Sequence, residues 1–335
     1  MKSKTQRVLA AALLLAMSPH VREAVAQAAP SAAQEQSPPV QSLPSPSVST
    51  APETLPSVPP GPSPLSMPPE VSPLQPLLDF KDSDVKFSPS ALMNTLRDSR
   101  HEGWVLAAYP DPKTSRPLIG AGFSLDVEAM QHIQRDPFNP YPFIEPSAAQ
   151  LWQAAGFDTV RLQSILDQYD RDLKKWKKKN FRRKIKTHQL PPQLTEAEAM
   201  RLLRISTIQA IHNARAYCRN FDQLTASQQM ALSQLVYQMG VNLEEFVQFL
   251  TALNDSYPAA AQPQGSIESE SEHWKTVQLT LIQSQWARRY STRAVTVIAM
   301  FAPDYAQDPR QAEREVQAKL HPPVHHRKKS RAQPA

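Results

Sequence analysis

Hydrophobic and polar positions change period along the chain, and those changes divide it. Ser88-Pro89 has the form of a helix cap followed by proline at the first helical position, and Leu92, Met93 and Leu96 then recur at the spacing of a buried stripe. This predicts a helix ending near His101. From Trp104 the period falls to two: Val105, Ala107 and Tyr109 alternate, a Pro- and Lys-rich turn spans Pro110–Pro117, and Leu118 to Phe123 reads as the returning strand of a short hairpin. Helical spacing returns between Ala148 and Lys179, with a break predicted near Gly156. Thr195-Glu196-Ala197-Glu198 and Thr225-Ala226-Ser227-Gln228 are capping boxes that open two further helices, the second ending at Gly240, where a terminating glycine belongs. Apolar stripes at Phe246–Leu253, Trp274–Trp286 and Ala294–Phe301 predict the remaining helices. The pattern is α+β and mainly helical.

Composition marks off the ends. Of 33 prolines, 15 fall between Pro30 and Pro76, so residues 29–78 read as an extended, disordered linker that buries too little apolar surface to offset its ordering entropy. Before it, Lys2, Lys4 and Arg7 precede an apolar run from Val8 to Met17. Ala24-Val25-Ala26 and Ala26-Gln27-Ala28 then offer small-residue cleavage sites. Residues 1–28 therefore read as a signal peptide, with a periplasmic or secreted destination; a bilayer span needs about 20 apolar residues. Residues 79–305 suffice for one domain, and 306–335 read as a frayed polar and basic tail. The single cysteine, Cys218, excludes an internal disulfide and is expected to be a small buried hydrophobe.

The net charge of +6 is concentrated: ten Lys or Arg and one acid, Asp172, lie between Arg171 and Lys186. Lys174, Lys175, Lys177, Lys178, Lys179, Arg182 and Arg183 are candidates for association with an anionic wall polymer or membrane surface, or form a solvated helix face. No finger, glycine-rich loop or aromatic-interleaved strand supports nucleic acid binding. No metal-ligand spacing or nucleotide loop is present, so no cofactor is expected, and the chain is expected to be a monomer.

Two acids carry the candidate chemistry. Glu102 follows an apolar helix and precedes Trp104, and burial of such a carboxyl favours the protonated form able to donate to a glycosidic oxygen. Asp111, set between Pro110 and Pro112, is expected to hold an exposed carboxylate suited to activating water. By spacing alone, they are equally two surface acids that cap or pair locally.

The run Glu102-Gly103-Trp104, Tyr109-Pro110-Asp111 and Ile119-Gly120-Ala121-Gly122 resembles the catalytic segment of phage-type lysozymes, glycoside hydrolase family 24. In the same order, Leu194-Thr195 with Glu198-Ala199, Val236-Tyr237-Gln238-Met239-Gly240, Ser284-Gln285-Trp286 and Arg293-Ala294 resemble the family's later helices. The resemblance spans about 88–125 and 194–301, with 126–193 as an insertion. It implies a lysozyme-like fold of two lobes, one carrying the small β-hairpin, with a catalytic cleft between them. It also implies a muramidase cleaving the β-1,4 bond between N-acetylmuramic acid and N-acetylglucosamine in peptidoglycan. Glu102 is then the acid and Asp111 the group that directs water, with inversion at about 6.5–9.5 Å separation. Arg293 is the partner of the acid, and Tyr237, Gln238 and Phe249 bind substrate. Two departures stand out. Leu118 replaces the family threonine before Ile-Gly, leaving Thr114 or Ser115 to position the water, and Phe123 replaces the family histidine. The alternative is a weakly active or inactive lysozyme fold that binds wall or scaffolds an envelope complex.

Overall fold

The computed structural model describes residues 74–98, 103–134, 136–178, 185–255 and 267–322. The expected signal peptide and nearly all of the expected linker lie outside these residues. The linker ends earlier than its proline content implies, because Gln75–Leu78 forms a short helix, α1, whose Leu77 is buried. Helix α2, Pro89–Arg97, starts at a proline as expected, although the Ser88 side chain makes no capping bond.

Strands β1 (Val105–Pro110), β2 (Pro117–Gly120) and β3 (Phe123–Ser124) form an antiparallel sheet in that order, with Tyr109 opposite Leu118 and Ile119 opposite Phe123. The expected single strand from Leu118 to Phe123 is folded in two. Gly120 and Gly122 have φ of +64° and +90°, a region open to glycine without a Cβ clash, and the chain reverses there. A second antiparallel pair, β4 (Met130–Gln131) and β5 (Ile144–Glu145), was not foreseen.

Helix α3 (Ala148–Ala154) begins at a capping box of Ser147 and Gln150, and α4 (Thr159–Lys178) follows the expected break, where Gly156 has φ +81°. The capping boxes at Thr195 and Thr225 are made, opening α5 (Glu196–Tyr217) and α6 (Ala226–Met239). Then come α7 (Val247–Asn254), α8 (Ile267–Ile282), α9 (Gln285–Arg289) and α10 (Ser291–Ala299). The stripe from Trp274 to Trp286 is two helices because the Ser284 hydroxyl accepts the Ala287 N–H and starts α9. The expected frayed tail is corrected by α11, Pro309–Leu320: Asp308 caps it by accepting from Gln311 N at 2.9 Å, and Val316 is buried in the core.

Buried side chains form two large clusters. One holds Leu92, Leu96, Phe221, Leu232, Phe249, Trp274 and Phe301; the other holds Ile119, Leu125, Trp152, Ile165 and Tyr169. Helix α5 serves both, giving Leu203 and Ile211 to the first and Leu202 and Ile208 to the second, so it is apolar on opposite faces. Cys218 is buried as expected, and desolvation pushes its thiol up to about 12, which keeps it from reacting as a thiolate. Among the described residues the fold is α+β, mostly helical, with two small antiparallel sheets. No described helix is long and apolar enough to cross a membrane.

Candidate active site

The turn between β1 and β2 is built around Asp111. Its Oδ1 accepts three hydrogen bonds, from Lys113 N at 2.9 Å, Thr114 N at 2.6 Å and Thr114 Oγ1 at 2.9 Å. The Asp111 N–H donates to Arg116 O, and its own carbonyl accepts from Ser115 N. The expectation of an exposed carboxylate is therefore corrected: Asp111 is 0% exposed, because its side chain folds over the turn to satisfy these N–H groups. Its Oδ2 is buried and has no hydrogen-bond partner among the described residues. A buried acceptor left unmatched costs about 1–3 kcal/mol and marks a place for water or a ligand donor.

Of the two hydroxyls expected to help Asp111, Thr114 reaches it and Ser115 does not. Ser115 takes a left-handed conformation, φ +67°, and its carbonyl accepts from the Tyr169 hydroxyl on α4. Leu118 is buried in a small cluster with Val105 and Tyr109, and Leu190 packs against that cluster. The segment before α5 therefore covers that face of the sheet. Gln193 N and Leu194 N both donate to Leu106 O, and Gln193 Oε1 accepts from Ala108 N at 2.6 Å.

Glu102 lies outside the described residues, but both flanks of its segment are anchored. Gly103 N donates to Asp98 O at 3.3 Å, and Gly103 has φ +82°, which explains glycine after the glutamate. Trp104 Nε1 donates to Glu196 at 2.7 Å. Arg97 pairs with the same carboxylate and lies over the Trp104 ring at 4.7 Å.

Later stretches of chain meet the hairpin. The Tyr237 hydroxyl donates to Ala121 O at 3.2 Å, which ties the end of α6 to the turn between β2 and β3. Gln238 Oε1 accepts from Trp286 Nε1 at 3.2 Å, and the indole only donates, so the amide orientation is set and Gln238 Nε2 points elsewhere. That nitrogen is buried without a partner among the described residues. Arg293 is buried on α10. The Lys113 ammonium is held below its usual range by desolvation and by the positive charge of Arg289, with Asp111 opposing. Phe249 does not line this region. It is 1% exposed and packs edge-on to Phe301, 5.7 Å between centroids, because α7 turns its apolar side into the core.

Sequence reasoning missed Trp286 as the residue that orients Gln238, and it missed a pocket of about 200 Å³ beside the hairpin. Gly122, Phe123 and Ser124 meet Tyr237 and Gly240 there, and the region read as an insertion supplies Phe143, Glu145 and Leu151. Glu145 stands just before the Ser147 capping box, but nothing local shows that it faces a cavity.

Of the basic candidates, Lys174, Lys175 and Lys177 are exposed near the end of α4, and Lys175 pairs with Asp172 at 3.1 Å. Only the backbone of Lys178 is described, and Lys179, Arg182 and Arg183 lie outside the described residues. No group of three or more His, Cys, Asp or Glu among the described residues is placed to hold a metal ion. Comparison with protein families, curated proteins and solved structures gave no match for this chain.

Proposed function

We propose that the chain is an exported muramidase of lysozyme-like, two-lobed architecture that cleaves the N-acetylmuramic acid to N-acetylglucosamine bond of peptidoglycan. The supporting observation is a convergence. The Tyr237-Gln238 end of α6, held by Trp286 of α9, joins the small hairpin at its β2–β3 turn, and the Asp111 turn lies at the other end of β2, all within the stretches that resemble phage-type lysozymes. Glu102 protonates the bridging oxygen of the glycan. Asp111 Oδ2, left unengaged by the turn and enclosed in this conformation, takes the proton of the attacking water once the turn opens to admit it, and Gln238 Nε2, likewise enclosed and unengaged, donates to a substrate acceptor. The two carboxyls then act on opposite sides of the anomeric carbon, and the product is inverted. The exposed lysines of α4 hold the enzyme to anionic wall.

A second reading is favoured by Leu118. It offers no hydrogen bond to a water and is buried in the cluster that Leu190 packs against, as suits a lysozyme fold that binds wall as a scaffold with little turnover.

Release of soluble muropeptides from purified wall, with mass analysis of the new reducing ends, separates the two. The muramidase reading expects release that Glu102→Gln abolishes. Equal release by wild type and Glu102→Gln overturns it, and wall binding with no release selects the scaffold.

A further inference from the structure

The pocket beside the hairpin is too small for a whole saccharide. At about 200 Å³ it falls below the roughly 300 Å³ from which pockets for complete small molecules begin, so it suits one side group of a larger ligand. Its lining includes apolar Val127, Leu151, Ala210 and Val236, and the polar Ser206, Gln209 and Asn213 there already donate to the backbone carbonyls of Leu202 and Ile144. Among the described residues that line it, Glu145 carries the charged side chain and none is Lys or Arg. Glu145 Oε2 lies 2.6 Å from His132 Nε2, which fixes the carboxylate. Oε1 makes no hydrogen bond among the described residues. An alkyl chain ending in a cation matches such a lining: the methylenes meet the apolar side chains and the ammonium meets the free carboxylate oxygen. A neutral acetamido group gains nothing from that charge.

We propose that this pocket receives the side-chain ammonium of a diamino acid, with Glu145 as its ion-pair partner and as a residue that determines specificity. Resting on the muramidase reading, the ligand is the peptide stem of peptidoglycan, whose diamino acid has a free amine only where the strand is not crosslinked. The chain then prefers glycan bearing uncrosslinked stems.

The test compares wall whose free amines are intact with the same wall acetylated by acetic anhydride. Acetylation is expected to slow wild-type release about tenfold, the worth of one charge-assisted hydrogen bond. Glu145→Gln should be slow on both walls and indifferent to acetylation. Calorimetric titration with a stem tetrapeptide, free or acetylated at the diamino acid, reads the pocket without turnover. Wild type should bind the free peptide about tenfold more tightly than the acetylated one, and Glu145→Gln should bind both equally weakly. Binding insensitive to acetylation overturns the amine pocket, whatever the wall assay gives. Amine-dependent binding without release from any wall upholds the pocket and overturns the hydrolase reading. If Glu145→Gln melts far below wild type, the free-against-acetylated comparison on wild type alone decides.

Discussion

Three donors on one oxygen of Asp111 make a sharp test at the level of a single residue. In Asp111→Asn the amide oxygen must face Lys113 N, Thr114 N and Thr114 Oγ1, which forces its NH₂ group into the place of Oδ2. The turn should survive, with a melting temperature close to wild type, while wall release is lost, because an NH₂ group cannot accept a proton from water. Thr114→Val removes one of the three bonds and should cost about 1 kcal/mol in urea unfolding. Glu198 gives a second test, in pH. Its carboxylate accepts from Arg161 and from Thr195 N, and these bonds hold its pKa down to about 2 from an ordinary 4.5, against the opposing effect of desolvation. The lowered value means that the contribution is complete above pH 4.5 and fades as pH falls toward 2. Glu198→Gln should lower stability at pH 7 by about 1 kcal/mol and flatten the acid limb of a pH-dependent melt over that range. This capping box was legible in the sequence because its partners are three residues apart. The burial of Asp111 was not, since the flanking prolines argue for a stiff backbone but not for a side chain folded over its own turn.

Helices and strands were legible wherever a periodic stripe was long. The paired boxes of α5 and α6, the break at Gly156 and the stop at Gly240 all follow from local chemistry. The helix α11 was missed because its apolar residues are sparse. Ala312, Val316 and Leu320, spaced by four, make one narrow line on an otherwise polar cylinder, and that line packs against the first core cluster. Val316→Ala should therefore cost about 2 kcal/mol, the lost methyl groups plus the space left behind. A substitution on a truly frayed tail would cost nothing, so chemical denaturation of this variant discriminates directly. The pairing of β4 with β5 was equally hidden, because strands of two residues carry no period.

Over the whole molecule, charge and shape divide the labour. The lysines at the end of α4 are exposed, so their attraction to an anionic polymer is screened over about 8 Å at 0.15 M salt. Replacing Lys174, Lys175 and Lys177 with Gln should weaken co-sedimentation with purified wall and make the remainder less sensitive to salt, with the melting temperature unchanged. The stretch between β3 and α5 reads as an insertion along the sequence. In the fold it lines the pocket with Phe143 and Glu145 and packs Leu190 against the cluster that holds Leu118. Those contacts join residues distant in the chain, which is why no local pattern announced them.

The inertness of Cys218 has a practical consequence. With its one thiol sealed in the core, the native chain is a blank background for sulfhydryl labelling. Cysteines introduced at Pro112, on the exposed hairpin tip, and at Arg288, on the exposed side of α9, can carry a pair of spin probes. The separation between those probes would register any movement of the hairpin against α9 when purified wall fragments are added.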